Sequence, residues 1–231
     1  MRQTAQYIKR YFTVWWIPIV GNLIAVGIFV MGTVFKRDWI IDLALIVLYL
    51  SIILTIISSI VQLVNRKWYF IFPQLGVAAF LFYYTTIIFT YSPPDYYGAN
   101  KEIPKNIDFL EPLDSAPTTR DFEINDLILT NGGQPGIYKY YTDYKTKETG
   151  YFYIKAFEIT SNYRLSDERM KEMSKIRIDN LKSQQVDGEF TIYEGDWGDK
   201  YGSRIELWFQ PSKGREFKIE EKNYIIEGWQ R

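Results

Sequence analysis

The chain has 231 residues, balanced between 27 basic and 27 acidic side chains, with no cysteine and no histidine. The missing cysteine removes disulfides, thiolate nucleophiles and cysteine-based zinc sites, and the missing histidine removes Ser-His-Asp triads, imidazole bases and histidine-ligated transition metals. The neutral total hides a split: residues 1–96 carry seven Lys/Arg against three Asp/Glu, residues 97–231 twenty against twenty-four, or +4 and −4. A mildly acidic tail without a basic stripe excludes nucleic-acid binding, which rests on neutralised phosphates.

Three uncharged runs open the chain, at 14–35, 43–64 (the helix beginning near Trp39) and 68–91. Each reaches the roughly 20 apolar residues that cross a bilayer at 1.5 Å per residue. The gaps, Lys36-Arg37-Asp38 and Asn65-Arg66-Lys67, are short and charged, as turns at the headgroups are. Trp15, Trp16, Trp39, Trp68, Tyr69 and Tyr91 mark the run ends, where amphipathic rings settle into the interface. The first run exceeds a usual signal-peptide core and lacks a small-x-small cleavage site, so residues 1–96 are predicted to be a retained three-helix transmembrane bundle. With the N-terminus inside, the short cytoplasmic flanks hold Arg2, Lys9, Arg10, Arg66 and Lys67, against Lys36 and Arg37 outside. That bias predicts a cytoplasmic N-terminus and a translocated tail, which in a bacterial inner membrane faces the periplasm.

Polar residues within spans are costly unless paired, so their positions are informative. Ser51, Thr55 and Ser59 recur every fourth residue, with Ser58 and Gln62 alongside. This hydroxyl stripe serves either helix packing or docking of another membrane-embedded protein. Gly21, Ala25, Gly76 and Ala79 offer small surfaces for close approach. Asp42 lies about one turn inside the second span near Lys36 and Arg37, placed for an interfacial ion pair. Pro18 and Pro73 fall near span starts, where proline is tolerated. No span repeats acidic or basic residues as an ion pathway would.

Ser92-Pro93-Pro94-Asp95 stops the third span, and a proline-dotted stretch, 97–117, reads as an extended linker. Residues 118–231 then change period. Strands are predicted over 122–129, 137–144, 151–160, 190–194, 204–210 and 217–226, with 137–144 and 151–160 joined as a hairpin across 145–150. Residues 165–176 form the one helical candidate, with Ser166 as its cap and Leu165, Met170, Met173 and Ile176 on one face. The fold class that results is a membrane three-helix bundle plus a β-rich, sandwich-like α+β soluble domain. Glu194, Asp196 and Asp199 cluster in one loop, but their spacing is not that of an EF-hand; a polar turn with a tucked Trp197 is expected. No phosphate loop, nucleophile elbow or arguable carboxylate pair occurs, so neither enzyme chemistry, a cofactor nor a small-molecule substrate is expected. The aromatic residues of the tail, Tyr138, Tyr140, Tyr141, Tyr151, Tyr153, Trp208 and Trp229 among them, serve strand packing, with a share left for an interface.

Three stretches of the tail carry a resemblance: Gly150 to Thr160 followed by Leu165-Ser166, Ile192 to Gly198 leading into Arg204 to Phe209, and the closing Ile226 to Arg231. Together they resemble a family of bacterial inner-membrane proteins, mostly uncharacterised, encoded beside type VI secretion effectors. The membrane half is similar only in layout. The resemblance implies an immunity protein that shields its owner from a membrane-targeting, pore-forming toxin by stoichiometric binding; it brings no catalytic residues. The alternative is a membrane-anchored sensor, adaptor or envelope-assembly protein with a periplasmic β-domain. For a protein partner, the contact candidates are Ser51, Thr55, Ser59 and Asp42 in the membrane half and Asp196 with Trp197 in the tail.

Overall fold

The computed structural model describes residues 2–118, 126–179 and 186–229. Two compact units divide at Pro94/Asp95. The first contains α1 (Arg2–Thr13), α2 (Trp16–Phe35), α3 (Asp38–Val64) and α4 (Ile71–Tyr91), with a 3-10 turn at Trp68–Phe70 leading into α4. Three stretches, Trp16–Phe35, Asp38–Val64 and Trp68–Tyr91, are long and apolar enough to cross a membrane, so the chain is a multi-pass membrane protein. Their polarity is inside-out relative to a water-soluble bundle. Leu23, Ile24, Met31, Ile46, Leu50, Ile53 and Phe72 are exposed, while Asn22, Ser51, Thr55, Ser58, Ser59, Gln62 and Gln74 are buried. Lipid accepts the first set, and the second must find partners inside. Trp16, Trp39, Trp68, Tyr69 and Tyr91 stand exposed at the span ends.

α2 and α3 pack as an antiparallel hairpin across the turn at Lys36, which adopts the left-handed conformation (φ 49°) that closes α2. Gly32 is required at this closure: a Cβ there would meet the Ile41 side chain at 2.6 Å and the Ile41 backbone nitrogen at 3.1 Å. Pro18 and Pro73 both lie in first helical turns, where no intrahelical N–H is lost. α1 is too polar to register in a hydropathy reading; it is held to the bundle by α3.

The second unit is built on two antiparallel sheets. One has the order β1-β2-β6, from β1 (Leu127–Asn131), β2 (Ile137–Thr142) and β6 (Val186–Thr191). In the other, β3 (Gly150–Glu158) pairs with β7 (Tyr201–Pro211), which pairs with β8 (Phe217–Ile226). The opposite edge of β3 is shared by two short strands, β4 (Arg164–Leu165) and β5 (Ile176–Ile178), with α5 (Asp167–Met173) between them. One core lies between the sheets: Leu127, Leu129, Tyr138, Tyr140 and Phe190 from the first, Phe152, Ile154, Ile205, Leu207, Phe209 and Tyr224 from the second.

Several sequence expectations change here. The hairpin expected between 137–144 and 151–160 does not form: β2 pairs with β1 and β6, whereas β3 belongs to the other sheet. The 143–149 connection lacks the glycine or asparagine of a tight hairpin turn and carries the chain between sheets. The real hairpin is β1–β2, turning at Asn131-Gly132-Gly133. Gly136, at φ 81°, is needed there because a Cβ would lie 2.2 Å from the Trp229 backbone nitrogen. The strand expected from Phe122 falls partly on residues outside those described; the described strand is Leu127–Asn131. The helix expected over 165–176 is only Asp167–Met173, because Leu165 and Ile176 are claimed by the β3 edge. Ser166 adopts φ 49° and does not cap with its side chain; its hydroxyl is bonded to Glu194. Between β4 and β5, the Ser174 hydroxyl accepts from the Ile154 N–H (2.9 Å), filling the gap in the ladder.

The 97–117 stretch, expected to be extended, begins with a 3-10 turn at Gly98–Asn100, and beyond it the chain is fastened to the domain. Leu110 exchanges backbone hydrogen bonds with the β8 edge (its N–H to Asn223 O and Ile225 N–H to its carbonyl, both 2.9 Å), and Leu113 does the same with β1 (2.9 and 2.7 Å). One segment thus covers exposed edges of both sheets, a protection against edge-to-edge pairing.

Candidate functional site

Within the membrane unit, the polar side chains converge into a buried seam. Ser51 Oγ donates to Asn22 Oδ1 (2.5 Å), and Asn22 Nδ2 donates to Thr55 Oγ1 (3.1 Å), tying α2 to α3. Ser59 Oγ donates to Gln74 Oε1 (3.0 Å), tying α3 to α4. The two glutamines then repair the break between α1 and α2. Gln62 Nε2 donates to the carbonyls of Phe12 (3.2 Å) and Thr13 (2.9 Å), Ser58 Oγ also donates to Phe12 O (3.2 Å), and Gln74 Nε2 donates to Trp15 O (2.7 Å). The Phe12 and Thr13 carbonyls lie in the last turn of α1, where a helix end leaves them without intrahelical partners, an expensive condition in hydrocarbon, and Trp15 is the N-cap of α2. Of the stripe predicted from sequence, Ser51, Thr55 and Ser59 therefore all face inward, each at most 5% exposed. Asn22 and Gln74 complete the seam; a lone amide in an apolar helix was their only sequence signal. Asp42 lies apart, exposed near the start of α3.

In the soluble unit, the 193–199 loop is a bracing element. Glu194 accepts from the Ser166 N–H and hydroxyl (both 2.8 Å), Asp196 Oδ2 accepts from the Asp95 N–H (3.1 Å), and Asp95 Oδ2 accepts from Gly195 N–H (3.0 Å). Its carboxylates thus serve separate partners, and among the described residues no group of three acidic side chains is placed to hold a metal ion. Trp197 is not tucked in: it is 45% exposed.

Glu194 supports a turn that sequence reading passed over. Asn162 (φ 54°), Ser166 (φ 49°) and Asp167 (φ 20°) all take left-handed or near-left-handed backbone, within six residues. Strain of this kind persists only where surrounding contacts enforce it. It presents Tyr163, 56% exposed, between two open hollows of about 390 and 650 Å³. Around it, Arg164 pairs with Asp167 (2.6 Å), Arg169 lies over the Tyr193 ring (5.4 Å) and Lys101 over the Tyr97 ring (4.5 Å). Tyr193 packs edge-on against Trp229. The patch floor is rigid. Burial would raise the Glu158 carboxyl, but bonds from the hydroxyls and N–H groups of Ser161 and Thr160 outweigh it and hold the group at about 2. Lys101 adds an ion pair to it at 3.4 Å. Burial, reinforced by the Glu158 charge, pushes the Tyr97 phenol up to about 12, so it stays neutral.

No family model matches the chain, and neither the curated proteins nor the solved structures contain a match to it.

Proposed function

We propose that this membrane protein works by gripping another protein with its soluble domain, and that its partner is an antibacterial effector against which it confers immunity. The observation that carries the binding reading is the Tyr163 surface. Tyrosine, tryptophan and arginine dominate binding hot spots, because they bury large area at low entropic cost. Here strained backbone holds the turn that carries Tyr163, Arg164 pairs with Asp167 and Arg169 lies over the Tyr193 ring, so part of the ordering is done before association. The resemblance of the tail to proteins encoded beside type VI secretion effectors supports the choice of partner. The five-to-two Lys/Arg bias across the short flanks supports an inner-membrane protein with its soluble domain in the periplasm, where such a toxin arrives.

The test is a growth competition. A strain lacking this gene is mixed with its effector-secreting parent and complemented with either the native chain or a Tyr163→Ala/Arg169→Ala variant. The deletion strain is expected to be outcompeted, the native chain to rescue it, and the variant to insert normally but rescue poorly. A deletion strain that competes as well as its parent removes the immunity reading. A variant that rescues fully removes the Tyr163 surface.

A further inference from the structure

The end of the membrane unit that carries α1 is uniformly basic. Lys9 and Arg10 lie in α1, Arg66 and Lys67 lie in the turn that follows α3, and all four are exposed. Gln62 draws the two segments together. Its backbone carbonyl accepts from the Lys67 N–H (2.9 Å), while its side-chain amide donates to the carbonyls of Phe12 and Thr13, within one turn of Lys9 and Arg10. A second clasp lies beside it: the Trp15 and Phe70 rings stack at 5.2 Å, and Gln74 Nε2 donates to Trp15 O. Among the described residues none of the four cations has an ion pair. The unit Met1–Pro94 has two carboxylates, Asp38 and Asp42, and both belong to the opposite end of α3. Asp42, the nearer, stands twenty residues before Gln62. That is about 30 Å along the helix, three times the roughly 10 Å screening length at 0.1 M salt.

Position and charge together choose the occupant. The cations fall outside the spans, just before Trp16–Phe35 and between Asp38–Val64 and Trp68–Tyr91. Trp68 and Tyr69, both more than half exposed, follow directly, as rings at the headgroup layer do. At that depth every neighbouring lipid presents a phosphate, already confined to the layer by the bilayer itself. A zwitterionic lipid also brings an ammonium group, which here meets four cations and no carboxylate. An anionic lipid brings its phosphate without that repulsion. We infer that this corner is a binding site for anionic phospholipid, its phosphate shared by Lys9 and Arg10 of α1 and Arg66 and Lys67 of the turn. Bound there, the lipid bridges α1 to the turn from outside, as Gln62 does from within. The site is independent of which protein the soluble domain binds, and it holds for either orientation of the chain.

The test uses the full chain in phosphatidylcholine proteoliposomes doped, at equal mole fraction, with one of two photoactivatable probes. One is a phosphatidylglycerol and the other a phosphatidylcholine, each with a diazirine next to the glycerol backbone. Adducts are mapped by peptide mass spectrometry. A single Lys or Arg near the membrane surface favours anionic lipid by about fivefold. The phosphatidylglycerol probe is therefore expected to label residues around Tyr7 and Trp68 at least about five times more than the phosphatidylcholine probe. Around Lys36 and Arg37, where Asp38 and Asp42 balance the charge, the two probes should label alike. Lys9→Gln/Arg10→Gln/Arg66→Gln/Lys67→Gln should bring labelling at Tyr7 and Trp68 to parity while helical circular dichroism is unchanged. Parity in the native chain overturns the inference, and so does an equal excess at both ends of the bundle; neither comparison needs a variant to fold. An undiminished excess in the folded variant also overturns it. So does a stoichiometric protein adduct formed in cells from a photo-crosslinking residue placed at Tyr7, since the corner would then be a protein contact.

Discussion

Replacing the hydroxyl stripe by apolar side chains of similar size, Ser51→Ala/Thr55→Val/Ser59→Ala, should destabilise the bundle without preventing insertion. Three bonds between helices disappear: Ser51 to Asn22, Asn22 to Thr55, and Ser59 to Gln74. At roughly 0.6–2 kcal/mol each in lipid, the loss is about 2–6 kcal/mol. The upper half of that range is expected, because the Asn22 amide loses both partners while remaining fully buried. Insertion should improve slightly, since three hydroxyls leave an already apolar span. The assay is reversible unfolding of the full chain in mixed micelles, titrated with a denaturing detergent and followed by tryptophan fluorescence. Adding Asn22→Leu to the triple variant should recover much of the loss, because a bond removed with both partners leaves no orphaned group. Stability unchanged within about 0.5 kcal/mol, or a quadruple variant weaker than the triple, would refute the seam as internal glue.

Further outcomes concern the soluble domain and the topology. Tyr224→Phe deletes the hydroxyl that donates to Leu127 O (3.1 Å) and accepts from Leu129 N–H (3.2 Å), and should cost a fragment beginning at Asp95 about 2–4 kcal/mol in urea, with exposed Tyr163→Phe near neutral. The carboxyls of Glu158 and Glu216 lie at about 2, the latter lowered by bonds from Lys155 and Tyr153, against an ordinary 4.5. A depressed folded value means the stabilisation is complete above about 4.5 and is lost as pH falls towards 2. The same fragment should therefore hold a constant melting temperature from neutral pH to about 5 and lose it steeply below; a flat profile down to pH 2.5 would contradict the two assignments. A periplasm-active reporter should work when fused after Arg231 and fail after Arg66; the reverse would place the soluble domain in the cytoplasm.

What the sequence made legible follows from where physics is local. Spans declare themselves by length and apolarity, so their ends needed only the Lys36-Arg37 and Arg66-Lys67 turns. β8 (Phe217–Ile226) was readable to the residue, since a turn precedes it, whereas the one-residue slip of its pairing opposite Leu207 and Trp208 was not. Pairing is not local. Nothing in 137–144 or 151–160 states that they belong to different sheets, and only the glycine-rich turn at Asn131-Gly132-Gly133 favoured the β1–β2 hairpin. Leu165 and Ile176 showed helical spacing with Met170 and Met173, yet a vacant sheet edge outweighed a weak helix. The Tyr163 surface was hidden for a different reason: Asn162 and Asp167 are of types enriched in left-handed backbone but common in any polar turn, and Ser166 leaves no composition signal at all.

The seam also bears on where recognition occurs. The stripe residues spend their hydrogen bonds on Asn22 and Gln74, and a membrane-embedded partner that used them would have to pull α2 or α4 off α3 first. That means breaking the contacts valued above at about 2–6 kcal/mol before gaining any. It would also disturb the C-terminal carbonyls of α1 at Phe12 and Thr13, which accept from Gln62. The Tyr163 surface faces no such cost: Tyr163 is exposed, and Arg164 beside it is already paired with Asp167. A foreign anchor of matching topology carrying the native tail should therefore protect cells nearly as well as the intact chain in the growth competition. Failure of that chimera, with the tail folded and displayed on the correct side, would return the decisive contact to the helices, and the exposed perimeter of α4 would then be the surface to probe.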